Sequence, residues 1–110
     1  MKTLSKYGRI FNSSCAQYNK EDQEINIMFL RLIQNNFNEV LKRRGYVFLR
    51  DIYEELGFPI TQESIVCGWK YEPDNTDIDN YIDFGINDID ENNPDIPLDF
   101  NIDGYIADKF

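Results

Sequence analysis

Histidine is absent from the 110 residues. That removes the commonest general base at neutral pH, the Ser–His and Cys–His nucleophile pairs, and histidine-ligated metals. Cysteine is scarce. Cys15 and Cys67 stand alone, without CxxC spacing, which argues against a thiolate metal site. Two buried thiols in a reducing compartment are expected, rather than a disulfide. Long apolar runs are missing as well: none exceeds the four residues from Ile27 to Leu30. A transmembrane helix needs about twenty. Lys2, Lys6 and Arg9 precede no apolar stretch, so no secretory signal is expected and the reading is cytoplasmic. The glycines at 8, 45, 57, 68, 85 and 104 are scattered and form no phosphate-binding loop. No catalytic residues, no cofactor and no metal are expected.

The material present is that of a folded chain. Hydrophobic residues make up 42% and aromatics 15%, with seven Tyr and eight Phe to fill a core. The length suits one domain. Charge is the unusual property. The net value is −9, and it is unevenly placed. Residues 1–45 carry eight Lys or Arg and four Asp or Glu, which is +4. Residues 46–110 carry three and sixteen, which is −13. Such a surface attracts basic partners and repels nucleic acid.

Residues 1–18 read as a partly ordered N-terminal arm, and 19–110 as a single α+β domain. The clearest helix covers about 20–44, with Ile25, Phe29, Leu32, Ile33, Phe37, Val40 and Leu41 on its apolar face. Asn19 is the expected cap, Glu21, Asp22 and Glu24 favour the N-terminal end, and Lys42, Arg43 and Arg44 favour the C-terminal end. Gly45 is the expected stop. Tyr46–Leu49 reads as a strand, Asp51–Leu56 as a short helix ended by Gly57, and Thr61–Val66 as another. Gly68–Tyr71 reads as extended. Tyr81–Ile86 and Leu98–Ile102 alternate as strands. Asp103–Gly104 reads as a two-residue hairpin turn, with Tyr105–Phe110 as the return strand. The stretches 74–77 and 91–94 read as loops. The predicted architecture is a small antiparallel sheet of three to five strands, with one long and two short helices packed on one face.

Three constellations bear on function. The first is Asp99, Asn101 and Asp103 followed by Gly104 and Ile106, which matches the start of a calcium loop. Phe110 stands where a bidentate Glu belongs, and a hairpin is the favoured reading. The second is the helical corner around Gly57, which resembles a helix-turn-helix in spacing. Its second helix, Gln62–Val66, has no base, and Lys70 is the only cation between Arg50 and Lys109, so direct nucleic-acid binding is not expected. The third is the acidic surface itself. Asp74, Asp77, Asp79, Asp83, Asp88, Asp90, Glu91 and Asp95 are the candidate partner-binding residues. On one face they would imitate a nucleic-acid backbone and occupy a basic channel.

Four blocks carry a resemblance: YVFLRDIYEELGFPITQES, GWKYEPDN, NYIDFGI and PLDFNIDGYIADKF. Through them residues 46–110 resemble an uncharacterised family of phage and prophage proteins. The resemblance implies an origin on a mobile element and brings no activity with it. Small acidic proteins in that setting often bind a host protein, as inhibitors of CRISPR nucleases and restriction enzymes do. The expected function is therefore a non-enzymatic protein-binding module with a basic protein partner, of the anti-CRISPR or anti-restriction type. Two alternatives remain: a phage structural or assembly module using an apolar corner of Tyr53, Phe58 and Trp69, and a calcium-binding module.

Overall fold

The structure, a computed structural model, describes residues 7–15, 17–86 and 95–107. Within them it is α+β, with three helices and two small antiparallel sheets. Residues 23–44 contain neither glycine nor proline and form helix α1, Gln23–Arg44. Its cap is Asp22, not Asn19: the Asp22 carboxylate accepts from Glu24 N at 3.0 Å. Asn19 is held beside the helix because the Asn26 amide takes both its N–H and its C=O, at 2.7 and 2.9 Å. The C-terminal end follows the expectation. Gly45 has φ 92°, a left-handed conformation that favours glycine, and donates to Leu41 O.

The buried face of α1 is rotated from the one its apolar residues suggest. Asn26, Leu30, Ile33 and Leu41 are buried, and Phe29, Phe37 and Val40 are half-buried. Ile25 and Leu32, expected inside, are 47% and 57% exposed.

Strand β1 is Arg9–Phe11, β2 is Tyr46–Phe48, β3 is Cys67–Lys70, β4 is Ile96–Leu98 and β5 is Gly104–Tyr105. One sheet orders β2-β3-β5, and the other is the pair β1-β4. Helix α2, Leu49–Leu56, follows β2 directly and buries Leu49, Ile52, Tyr53 and Leu56. Helix α3, Gln62–Val66, begins with a capping box between Thr61 and Ser64. All three helices contact β2 or β3. Cys15 and Cys67 are free thiols, both buried. No helix among the described residues is long and apolar enough to cross a membrane.

Residues 7–11 are built into the molecule. Arg9 pairs with Leu98 and Phe11 with Ile96, and Phe11 is fully buried. The Tyr53 hydroxyl donates to Tyr7 O at 2.6 Å, and the Arg9 guanidinium lies 4.8 Å from the centre of the Tyr53 ring.

Three strand expectations are corrected. Ile82, Phe84 and Ile86 are buried as the alternation requires, but 81–86 is not a ladder strand. The strand expected over 98–102 ends at Leu98. Asp103–Gly104 makes no two-residue hairpin: Gly104 has φ 122°, far from the value near 60° of such a turn. It opens β5, which pairs Gly104 with Gly68 and Tyr105 with Cys67. The return strand therefore joins β3, and its expected residues 108–110 lie outside those described, as do 1–6 of the arm, the loop 91–94 and Asp88, Asp90 and Glu91.

Gly68 sits where two backbones meet. A Cβ there would strike Val47 O and lie 2.8 Å from Phe48 Cα, both on β2. Gly68→Ala should destabilise the fold by about 1–3 kcal/mol or more, because backbone atoms cannot give way as a flexible side chain does. Urea denaturation checks this; an unchanged midpoint would refute the close β2–β3 approach.

Candidate functional site

The candidate site is the acidic segment after β3, together with the stretch 99–103 that packs beside it. Few of its backbone groups enter a sheet, so their hydrogen bonds must be found elsewhere. Asparagine and glutamine side chains supply them. The chain has twelve asparagines, and four of them, Asn38, Asn75, Asn80 and Asn101, serve these joints.

Asn75 and Asn80 wire the loop after β3. Glu72 N donates to Asn80 Oδ1 at 2.6 Å, and Asp77 N donates to Asn75 Oδ1 at 2.9 Å. Asn75 Nδ2 donates to Glu72 Oε1 at 3.0 Å, and Asn80 Nδ2 to Asn75 O at 3.2 Å. Asn80 has φ 62°, the left-handed conformation that asparagine tolerates best after glycine. The loop is held by these bonds while Asp74, Asp77 and Asp79 remain exposed.

The next segment lies on α1. Asn38 accepts from Ile82 N at 2.7 Å and donates to Ile82 O at 3.0 Å. Gln34 accepts from Phe84 N at 2.8 Å. On the other side Asp99 N donates to Phe84 O, and Asn101 Oδ1 accepts from Asp83 N at 2.7 Å. This is the partner set that replaces the expected ladder.

Asn101 joins the acidic stretch to the core. Its Oδ1 also accepts from Trp69 Nε1 at 2.9 Å. Its Nδ2 donates to Asp79 Oδ2 and to Tyr81 O, both at 3.0 Å. Trp69 is fully buried, so its indole N–H needs an acceptor inside. Asn101 therefore fixes Asp79 and Asp83 relative to a rigid aromatic.

Carboxylates accumulate around this joint. Asp103 accepts from Lys70 N at 3.0 Å, and Lys70 lies 3.7 Å from Glu72. Burial pushes the Asp103 carboxyl above its ordinary value, and the nearby charges of Asp79 and Glu72 push the same way. The Lys70 N–H and ammonium oppose them only in part. Asp79, Glu72 and Asp103 thus share one electrostatic neighbourhood, and Asp83 is linked to Asp79 through Asn101. Asp83 also accepts from Gly85 N at 2.8 Å. Asp95 is placed differently: it accepts from Asn12 Nδ2 at 3.0 Å, just before β4.

A metal reading of 99–103 meets this geometry directly. The Asn101 oxygen is already shared by Trp69 and Asp83, and Asp103 is bonded to the backbone of Lys70. Among the described residues no group of three Asp, Glu or Cys is placed to hold an ion. Nor do Tyr53, Phe58 and Trp69 form an exposed apolar corner. They are 0%, 8% and 0% exposed and belong to the core.

Sequence reasoning singled out the acids and missed the amides that set them. In the sequence Asn101 reads as a calcium-loop ligand or as part of the polar sheet face, and Gln34 and Asn38 lie outside the apolar set of α1. The available signal was the asparagine content itself, high in segments that must bury apolar residues without a continuous ladder.

The molecule is thus a small α+β protein that presents acidic loops wired to its core by side-chain amides. The chain belongs to a family of unknown function, DUF6353, whose profile matches residues 1–110. No curated protein and no solved structure matches it.

Two outcomes follow for the joint. Asn101→Ala orphans Trp69 Nε1, Asp83 N and Tyr81 O, at roughly 1–3 kcal/mol for each group that water fails to reach. Trp69 is the single tryptophan, so its emission should shift to the red; unchanged emission and stability would refute the hub. Asp103 gives a pH signature. Its carboxyl titrates higher in the folded chain than the ordinary 3.8, so the native state holds the extra proton. Its contribution to stability therefore falls as pH rises from 3.8 through the raised value. Asp103→Asn retains an acceptor for Lys70 N and should remove that loss. Chemical denaturation across acid to neutral pH reads the difference; parallel pH profiles would contradict it.

Proposed function

We propose that this protein is a non-catalytic interaction module whose acidic loops dock on a basic surface of another protein. The observation that supports it best is the fixed placement of Asp79 and Asp83 by Asn101, within the field of Glu72 and Asp103. Carboxylates held on a hydrogen-bonded frame lose little conformational freedom on binding, unlike charges on a loose tail. Spaced acids on a firm support can occupy a groove built for phosphates, using the electrostatics that attract DNA. Proteins that handle nucleic acid carry such grooves.

The finer reading is an inhibitor of a host nucleic-acid-binding defence protein, of the anti-CRISPR or anti-restriction type. Its mobile-element origin rests on the resemblance over residues 46–110, and its non-catalytic character on the lack of histidine and of any nucleophile–base pairing in the sequence. The partner-binding set is Asp74, Asp77, Asp79 and Asp83, joined by Asp88, Asp90 and Glu91. Asp95 belongs at the margin, given its bond to Asn12. The calcium alternative loses support because Asn101 spends its oxygen internally. A phage assembly role would need a surface other than the buried Tyr53, Phe58 and Trp69.

The test is affinity capture from a nuclease-treated host lysate, eluted with rising salt and identified by mass spectrometry. The captured protein should be released at moderate salt, because exposed charges are screened, and duplex DNA should compete for it. Changing Asp77, Asp79, Asp83, Asp88 and Asp90 to Asn should abolish capture while circular dichroism stays unchanged. A partner that binds this variant as well as the parent, or resists high salt, would sink the proposal.

A further inference from the structure

A cleft runs between α1 and the segment 81–86. Arg31, Gln34, Asn38 and Lys42 form one wall, at spacings of three and four residues that place them on one face of the helix. Tyr81, Ile82, Asp83 and Ile86 form the other, and the cavity between them is about 290 Å³. Ile82 and Ile86 are buried and supply its apolar part. The segment runs antiparallel to α1, because Ile82 is bonded to Asn38 and Phe84 to Gln34, one turn back along the helix. Tyr81 therefore stands towards the Lys42 end and Ile86 towards Arg31, about 16 Å away along the helix axis.

The backbone of this segment is satisfied, but several side-chain groups of the cleft are free. Gln34 uses its oxygen on Phe84 N, so its Nε2 is the end left over, and no acceptor meets it among the described residues. Arg31 and Lys42 are exposed, and neither has an ion pair among the described residues, in a chain with twenty acids. Tyr81 is half exposed, with no ring partner and no hydrogen bond to its hydroxyl among those residues. Asp83 holds Gly85 N with one carboxylate oxygen and keeps the other free. We propose that this cleft binds a nucleoside monophosphate, with the base on Tyr81 and the phosphate at the Arg31 end.

Each part of that ligand answers one free group. The Arg31 guanidinium and the Gln34 amide are donors only, so that end calls for an anion rich in acceptors. A half-exposed ring without a neighbour offers a face on which a base stacks. Lys42, level with Tyr81, meets an acceptor on the base edge, and the free Asp83 oxygen accepts from an exocyclic amino group, as carboxylates do from cytosine N4. A bare anion would leave the ring unused and meet Asp83 as a like charge. A polymer is disfavoured by the surroundings. Asp79 shares Asn101 with Tyr81, and Asp74 and Asp77 are exposed in the preceding loop. Their repulsion grows with every phosphate of a strand, whereas two cations outweigh it for one. The volume of about 290 Å³ agrees, because it stands at the small end of ligand cavities, which run from about 300 to 1,000 Å³.

Nuclear magnetic resonance titration of the labelled full chain with CMP, at low salt, tests this. CMP should shift the side-chain amide of Gln34 and the backbone amides of 81–84. Cytidine and inorganic phosphate should each bind about tenfold or more weaker, because each lacks one half of the contacts. UMP, with a carbonyl in place of the amino group, should bind about fivefold or more weaker than CMP. Arg31→Gln and Tyr81→Ala should each weaken CMP by about tenfold, with unchanged circular dichroism because both side chains reach solvent. A chain whose 81–84 and Gln34 signals ignore CMP, or variants that bind it like the parent, overturn the proposal. Phosphate binding as tightly as CMP overturns the nucleotide, and UMP equal to CMP overturns the role of Asp83. Asp74→Asn and Asp77→Asn should not weaken CMP binding, so this proposal and that for the acidic loops fail independently.

Discussion

A primary amide offers two protons and two acceptor sites, and Asn101 uses all four. Trp69 and Asp83 donate to its oxygen, while Asp79 and Tyr81 accept from its nitrogen. Trp69 is the largest side chain in the core, and burying it requires a partner for its indole N–H. The only way for that acceptor to come from 99–103 is for the stretch to lie against β3. Once it does, the nitrogen of the same side chain fixes the 79–83 turn. One residue therefore couples the filling of the core to the shape of the acidic surface.

Gln34 and Asn38 extend the same solution to α1. An extended segment with buried Ile82, Phe84 and Ile86 would ordinarily present a row of free N–H and C=O groups, an invitation to pair with another chain. Here amides from a helix terminate those groups one by one. The acidic segment can be extended, buried on one side and charged on the other without being an open sheet edge. Its carboxylates are then available for a partner's side chains rather than for strand addition.

The legible part of the fold was that governed by local chemistry. Gly45 and Gly57 end helices in left-handed conformations, Thr61 caps α3, and alternation identified Ile82, Phe84, Leu98 and Phe100 as buried. What failed was the identity of partners. Alternation says which side chains go inside but not what satisfies the backbone between them. Asp103–Gly104 resembles a hairpin turn because aspartate and glycine tolerate unusual φ; here that tolerance opens β5 while the carboxylate serves Lys70. On α1 the apolar count favoured a face through Ile25 and Leu32, whereas the helix turned its amides inward because the 82–84 backbone needed them. The acidic candidates were visible as composition, and their grouping depended on contacts spanning 20 or more residues, such as Tyr81 with Asn101.

The β1–β4 ladder joins Arg9 to Leu98 across most of the chain. Closing so long a loop is slow, because its entropy must be lost before the ladder returns anything. The stretch from α1 to β3, by contrast, is contiguous and holds much of the core. In synthesis α1 to β3 precede the acidic half, which still has to supply Phe84, Phe100 and the Asn101 acceptor to the core. Strand β1 is made first and its partner β4 late, so Arg9–Phe11 has no ladder to join until Ile96–Leu98 has been made.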